Sequence, residues 1–298
     1  MLDRASTFAD PDIIDLLKTR FIPVAIDQAY QRRQKDAEGE FYRQIASQGP
    51  RKDFEDTTQG HYITSADGAL LGFTNNRGEG RIKRMIESAL RDFEPSEAEI
   101  IDLGKLDPRW NPQPPEGGLV VRVQAKILDG YEETTNRWRR IFQSSVSRDN
   151  LWVTKSEHDA LARGEFPETL QQRIARFHLV DNTRGEPPMW RSREVRSIFM
   201  QLTDGTVKGN IRLETDSGDR GFAAQLHGTV EVVQGQVASF EVVASGDFWG
   251  EGRYTRRAPR GKFPLAILFT LADGSDIADR IPPQGSRGWV EGYLGAVR

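Results

Sequence analysis

The sequence predicts an α+β protein of two domains, a small N-terminal unit mixing helix and strand and a larger β-rich unit of antiparallel strands. Three observations carry this prediction. Residues 21–93 order themselves as strand, helix, hairpin, helix; a proline-rich stretch interrupts the chain near residue 100; and residues 195–271 alternate apolar and polar side chains between glycine turns. The chain has 298 residues, enough for two separate cores.

In the N-terminal third, Asp10 followed by Pro11 is a helix start, and Ile13, Ile14, Leu16 and Leu17 form the stripe of a helix over Pro11 to Thr19. Phe21 to Ile26 is a short apolar run with β-branched members, predicted as a strand buried in the centre of a sheet and ended by Asp27. Gln28 to Glu38 is polar and reads as loop. Phe41, Tyr42 and Ile45 then mark the inner face of a second helix. His61–Thr64 and Leu70–Thr74 flank Asp67-Gly68, a hairpin signal. From Arg81 to Phe93, Ile82, Met85, Ile86, Ala89 and Leu90 recur at helical spacing.

Residues 94–118 carry prolines, glycines and acids and read as a connector, dividing the chain into residues 1–98, a linker over 99–118 and a domain over 119–298. Leu119, Val121, Val123, Ala125 and Ile127 alternate as one face of a strand. Thr154 and Glu157 have capping-box spacing, and a second helix is expected from Pro167 to about Phe177, so helices fall near residues 155–177. The segments VRSIFMQL, TVKGNIRLET, GFAAQLHGTVEVV, VASFEVVASGDFW and Phe263 to Leu271 are predicted strands. Turns at Asp204-Gly205, Ser217-Gly218 and Gln234-Gly235 separate the first four. Such strands with short connections predict a β-sandwich or partly closed barrel.

Composition narrows function. Lysine plus arginine number 41 and aspartate plus glutamate 44, so no whole-chain basic field favours nucleic acid, and no run of 18 apolar residues favours membrane insertion. The chain reads as soluble, cytoplasmic or, if a signal lies upstream, periplasmic. It contains no cysteine, which excludes disulfides, thiolate metal sites and cysteine nucleophiles. Four histidines with no pair at helical i, i+4 spacing predict no dedicated zinc site, and no nucleotide-loop context is present, so no cofactor is expected.

The phrases FIPVAID and TTQGHYITSADG, in the order strand, helix, hairpin, helix, resemble thioredoxin-like domains over about residues 5–95. In redox members of that group a Cys-X-X-Cys pair opens the first helix and a cis-proline precedes the hairpin. Here Gln59-Gly60-His61 stands at that loop without proline, and the first strand and cysteine pair would fall at or before Met1. The resemblance thus implies a truncated or degenerate, redox-inactive domain used for binding, or a natural chain that begins upstream with the active motif. Phe8 stands about where a phenylalanine follows the cysteine pair in such families. Gln59 and His61 sit in the loop that approaches substrates in this fold.

Two loops of the C-terminal half are polar beyond what a connection needs. Residues 178–190 hold His178, Asp181, Arg184, Glu186 and Trp190, and residues 246–255 place Asp247 and Glu251 around Trp249. Should they meet at one rim, they would form a ligand-binding set for a sugar, cation or polar peptide. As an enzyme, Asp247 or Glu251 would be a general acid or base, and His178, Asp181 and Asp247 a metal set. As plain structure, Asp181 and Asn182 cap turns, Arg184 pairs with Glu186, and Trp249 packs under a glycine-rich bend. Arg137-Trp-Arg-Arg140 with Arg148 is a further basic cluster, read as a solvated face. The leading expectation is a non-catalytic binding protein for a protein or polar small molecule. The alternative is an enzyme, either a hydrolase using the acidic rim or an oxidoreductase whose cysteines lie upstream.

Overall fold

The computed structural model describes residues 6–95 and 111–295, which divide into two compact units meeting in sequence at Asn111 and Pro112. Much of the expected linker therefore lies outside the described residues.

In the N-terminal unit, the Asp10 carboxylate accepts the backbone N–H groups of Asp12 and Ile13 at 3.1 Å each, opening helix α1 (Pro11–Arg20). A single turn, α2 (Gln28–Gln31), sits within the expected loop, and α3 spans Ala37–Ser47 behind an Asp36 cap. Strands β1 (His61–Thr64) and β2 (Leu70–Thr74) pair antiparallel, with His61 opposite Thr74. Gly68 takes φ +86° in the connecting turn, as the Asp-Gly signal requires. Helix α4 (Glu79–Asp92) lays Ile82, Ile86 and Ala89 against Ile13 and Ile63 to form a small core.

One prediction fails here. Residues 21–27 have no regular structure and join no sheet among the described residues; Phe21 packs against the small core, but residues 22–27 are exposed, Ile22 at 91% and Val24 at 72%. A run of β-branched residues reports that a segment suits a buried strand, not which neighbour covers it. Among the described residues the unit supplies only the two-stranded hairpin, and that hairpin does not pair with residues 21–27.

In the C-terminal unit, seven strands form one curled antiparallel sheet in the order β4-β3-β9-β8-β7-β6-β5. They are β3 (Leu119–Ile127), β4 (Asp149–Val153), β5 (Val195–Thr203), β6 (Thr206–Glu214), β7 (Gly221–Val233), β8 (Gln236–Trp249) and β9 (Lys262–Leu271). The sandwich alternative is thus replaced by a single sheet. Its concave face buries Val121, Leu213, Phe222, Phe240 and Ile267, while polar residues such as Lys208, Gln225 and Ser245 alternate outward. Covering the concave face are α6 (Lys155–Ala162), opened by the expected capping box, and α7 (Glu168–Arg173), which widens into a π-turn at Ile174–His178. Helix α5 (Arg137–Ser144) follows β3, and α8 (Val290–Leu294) brings buried Tyr293 into the core.

His158 lies on α6. It is buried: Nε2 accepts the Val237 N–H at 3.2 Å, which leaves Nδ1 to donate to the Gly117 carbonyl at 3.0 Å. Its ring ties α6 to β8 and to the segment before β3, so its polarity serves the fold.

Candidate functional site

The exposed 21–27 segment borders the most distinctive feature of the N-terminal unit, an open cavity of about 730 Å³. It is lined by Phe21 to Val24 with Ile26 and by β1 and the residues flanking it, Gln59 to Ser65. Its floor is apolar, with Leu17, Leu71, Ile86 and Ala89. Among the described residues β1 forms a ladder with β2 alone, and no described backbone group bonds to residues 22–26. The cavity is thus lined both by the irregular segment after α1 and by β1.

A polar cluster closes part of this slot. Thr58 Oγ1 donates to Gln28 Oε1 at 3.0 Å, so the Tyr42 hydroxyl, 2.6 Å away, donates to Thr58; Tyr62 donates to the Thr58 carbonyl at 2.6 Å. Burial pushes both tyrosine hydroxyls above their ordinary pKa, keeping them neutral donors at physiological pH. Gln59 and His61, singled out from the sequence, both line the slot, and the His61 ring meets Phe8 edge to face at 5.5 Å between centroids.

The two polar loops of the C-terminal unit do meet. Buried Arg184 donates through Nε to the Thr255 carbonyl at 3.0 Å and through Nη1 to Tyr131 Oη at 3.2 Å. Gly185 runs so close to the Tyr254 carbonyl that a Cβ would stand 2.2 Å from its oxygen. Yet the meeting uses up the groups that were to bind a ligand. Asp181 pairs with Arg184 and accepts the Thr183 N–H and hydroxyl; Arg184 therefore pairs with Asp181, not with Glu186, which is exposed. His178 Nδ1 lies 3.1 Å from Asp149 and Nε2 lies 2.7 Å from the Tyr293 hydroxyl. Trp190 donates to the Leu179 carbonyl at 2.8 Å, with the Arg220 guanidinium 3.9 Å above its ring. Trp249 donates to the Gly218 carbonyl at 3.0 Å and packs against Gly221. Glu251 accepts the Ala258 N–H at 3.2 Å, and Asp247 faces solvent from β8.

Among the described residues no three histidine, aspartate or glutamate side chains gather as a metal set. His178 and Asp181 each have partners of their own, so the structure does not assemble them with Asp247. Arg148 likewise belongs to a network, bonding Asp276 and Asp279 at 2.7 and 2.6 Å, while Arg122 bonds Asp279 and Asp273.

What sequence reasoning missed is the slot itself. The signal was present: a run apolar on both faces needs a neighbour along each edge, and the sequence offers only one hairpin beside it. Among the described residues no helix is long and apolar enough to cross a membrane. No protein-family model, curated protein or solved structure matches the chain.

Proposed function

We propose that the chain is a non-catalytic binding protein whose N-terminal unit, a redox-inactive thioredoxin-like domain, accepts an extended polypeptide strand in the slot between residues 21–27 and β1. The observation that carries this reading is an open, largely apolar cavity of about 730 Å³ lined by the exposed apolar segment after α1 and by β1, whose one ladder among the described residues is with β2. A strand of five residues, rising about 3.3 Å each, about 4.8 Å from its neighbours in a layer about 10 Å thick, fills roughly 800 Å³. The cavity is therefore of the size of one short strand. An added strand would satisfy main-chain groups on both walls and cover Ile22 and Val24, as in peptide recognition by β-augmentation. Cysteine is absent, so the described groups offer no dithiol chemistry there.

The test is selection of displayed random peptides of about twelve residues, enough for a strand and its flanks, on the immobilised chain. The expected winners carry an apolar, proline-free run of five or six residues. Their binding should be lost in the double variant Ile22→Asp, Val24→Asp, whose changes lie on exposed side chains. Failure to enrich such peptides, or equal binding to the double variant, overturns the reading.

A further inference from the structure

The connection between β8 and β9 carries a concentration of charge that the whole-chain balance conceals. Between Gly250 and Gly261 stand Arg253, Arg256, Arg257 and Arg260, all exposed, with Glu251 the one acid. Among the described residues no carboxylate pairs with any of the four arginines. Lys262 follows at the start of β9, its ammonium 5.0 Å from the Trp249 ring. Unscreened like charges repel one another, so such a cluster persists most readily where the loop is held by other means.

The loop is held from beneath. Thr255 and Pro259 are buried; the Thr255 carbonyl accepts from Arg184, and its hydroxyl accepts the Gly252 N–H at 2.8 Å. Glu251 turns its carboxylate to the Ala258 N–H. These anchors leave the intervening arginines pointing outward. Backbone strain falls at the same place. Three non-glycine residues among those described have positive φ, and two of them, Asp204 and Gln234, precede glycines in hairpin turns that demand it. The third is Arg257, at φ +71°, in no hairpin turn of that kind. Strain of this sort collects at binding loops, where the surroundings over-determine the conformation.

Tyr254 gives the patch its character. Its side chain is 62% exposed, and the Arg253 guanidinium stands 5.2 Å from its ring centre. Exposed aromatic faces interleaved with guanidinium groups suit single-stranded nucleic acid, where bases stack on the ring and arginines contact phosphates. A membrane surface suits it less, because Tyr254 is the only exposed side chain on the loop with substantial apolar area to bury. We infer that the β8–β9 loop is a single-stranded nucleic-acid-binding surface, with Arg253, Arg256, Arg257 and Arg260 contacting phosphates and Tyr254 stacking a base.

The experiment is fluorescence anisotropy of the full chain with a labelled oligothymidylate of about twenty nucleotides, longer than the roughly 4–16 that one binding face occupies. Four phosphate contacts predict a log–log salt slope near −3, a loss of affinity of about fiftyfold between about 50 and about 200 mM salt. Replacing the four arginines by glutamine should abolish binding while leaving the thermal transition in place, since all four are exposed. Tyr254→Ala should weaken it by roughly five- to a hundredfold, the range of one lost base stack. Absence of binding, unchanged affinity in either variant, or capture of phosphatidylserine vesicles in place of the oligonucleotide overturns the inference.

Discussion

The two units handle unsatisfied groups in opposite ways. In the C-terminal unit nearly every buried charge named above has an internal partner: Arg173 pairs with Glu157 at 2.6 Å and also donates to the Tyr293 and Trp152 carbonyls. In the N-terminal unit buried atoms of Arg32 and Gln34 have no hydrogen-bond partner, no described backbone group bonds to residues 22–26, and that apolar segment is exposed. The difference shows that a cluster of polar residues in sequence is a poor guide to a site. A buried carboxylate beside an arginine has already been neutralised, whereas an extended backbone without a ladder still has hydrogen bonds to make.

The comparison breaks most visibly if the C-terminal network is cut. Arg173→Ala leaves Glu157 buried without its cation and should cost about 3–5 kcal/mol. Five of the six tryptophans, from Trp138 onward, belong to the C-terminal unit, so urea unfolding followed by tryptophan fluorescence reports mainly on it. Replacing both partners by methionine should restore most of the loss, because no charge is then stranded.

Acid should act on the same network. Burial opposes ionisation of Glu157, but the Arg173 guanidinium and the Thr169 hydroxyl outweigh it and hold the carboxyl below its ordinary range. At the surface, the Ser275 hydroxyl and N–H, then Arg122, hold Asp273 at about 2. Both folded-state values are depressed, so their stabilisation is complete above the unfolded value near 4 and is lost as pH falls through the folded ones. The fluorescence transition should therefore fall to lower temperature between about pH 4 and about pH 2. A transition unchanged across that window would contradict the assignment.

The smallest effects belong to the rim. Asp247→Asn and Glu251→Gln alter exposed groups, and each should change stability by no more than about 0.5 kcal/mol. A drop well beyond that in either would mean that the acidic rim holds more than the structure assigns to it.

Much of the fold was legible because local signals suffice for hairpins and amphipathic helices. Asp67-Gly68, Asp204-Gly205 and Gln234-Gly235 each mark a turn that is found, and the 81–93 periodicity matches α4. β4 escaped notice because Asp149 and Asn150 open it with polar residues, whose reasons lie far away in sequence: Asp149 accepts the Gln284 N–H and Asn150 donates to the Ala278 and Ile281 carbonyls. Helix α8 is too short to show a period. The rim was legible as composition but not as partnership, since nothing in the spacing told that Asp181, three residues before Arg184, would neutralise it. The slot was overlooked for the opposite reason: its one sequence signal was a second neighbour missing beside the apolar 21–26 run, which no local pattern displays. The balanced net charge likewise hid the β8–β9 loop, because a sum over 298 residues erases a local excess.

The central claim is that residues 21–27 and β1 are the two banks of a strand-binding slot. Hydrogen–deuterium exchange resolved to short peptides tests it most directly, comparing the free chain with the chain saturated by a peptide selected as above. The account predicts fast exchange of residues 21–27 in the free chain and new protection at 21–27 and at 61–64 together on binding, with the ladder from β5 to β9 unchanged. Protection confined to the C-terminal unit, or to neither bank of the slot, would contradict it.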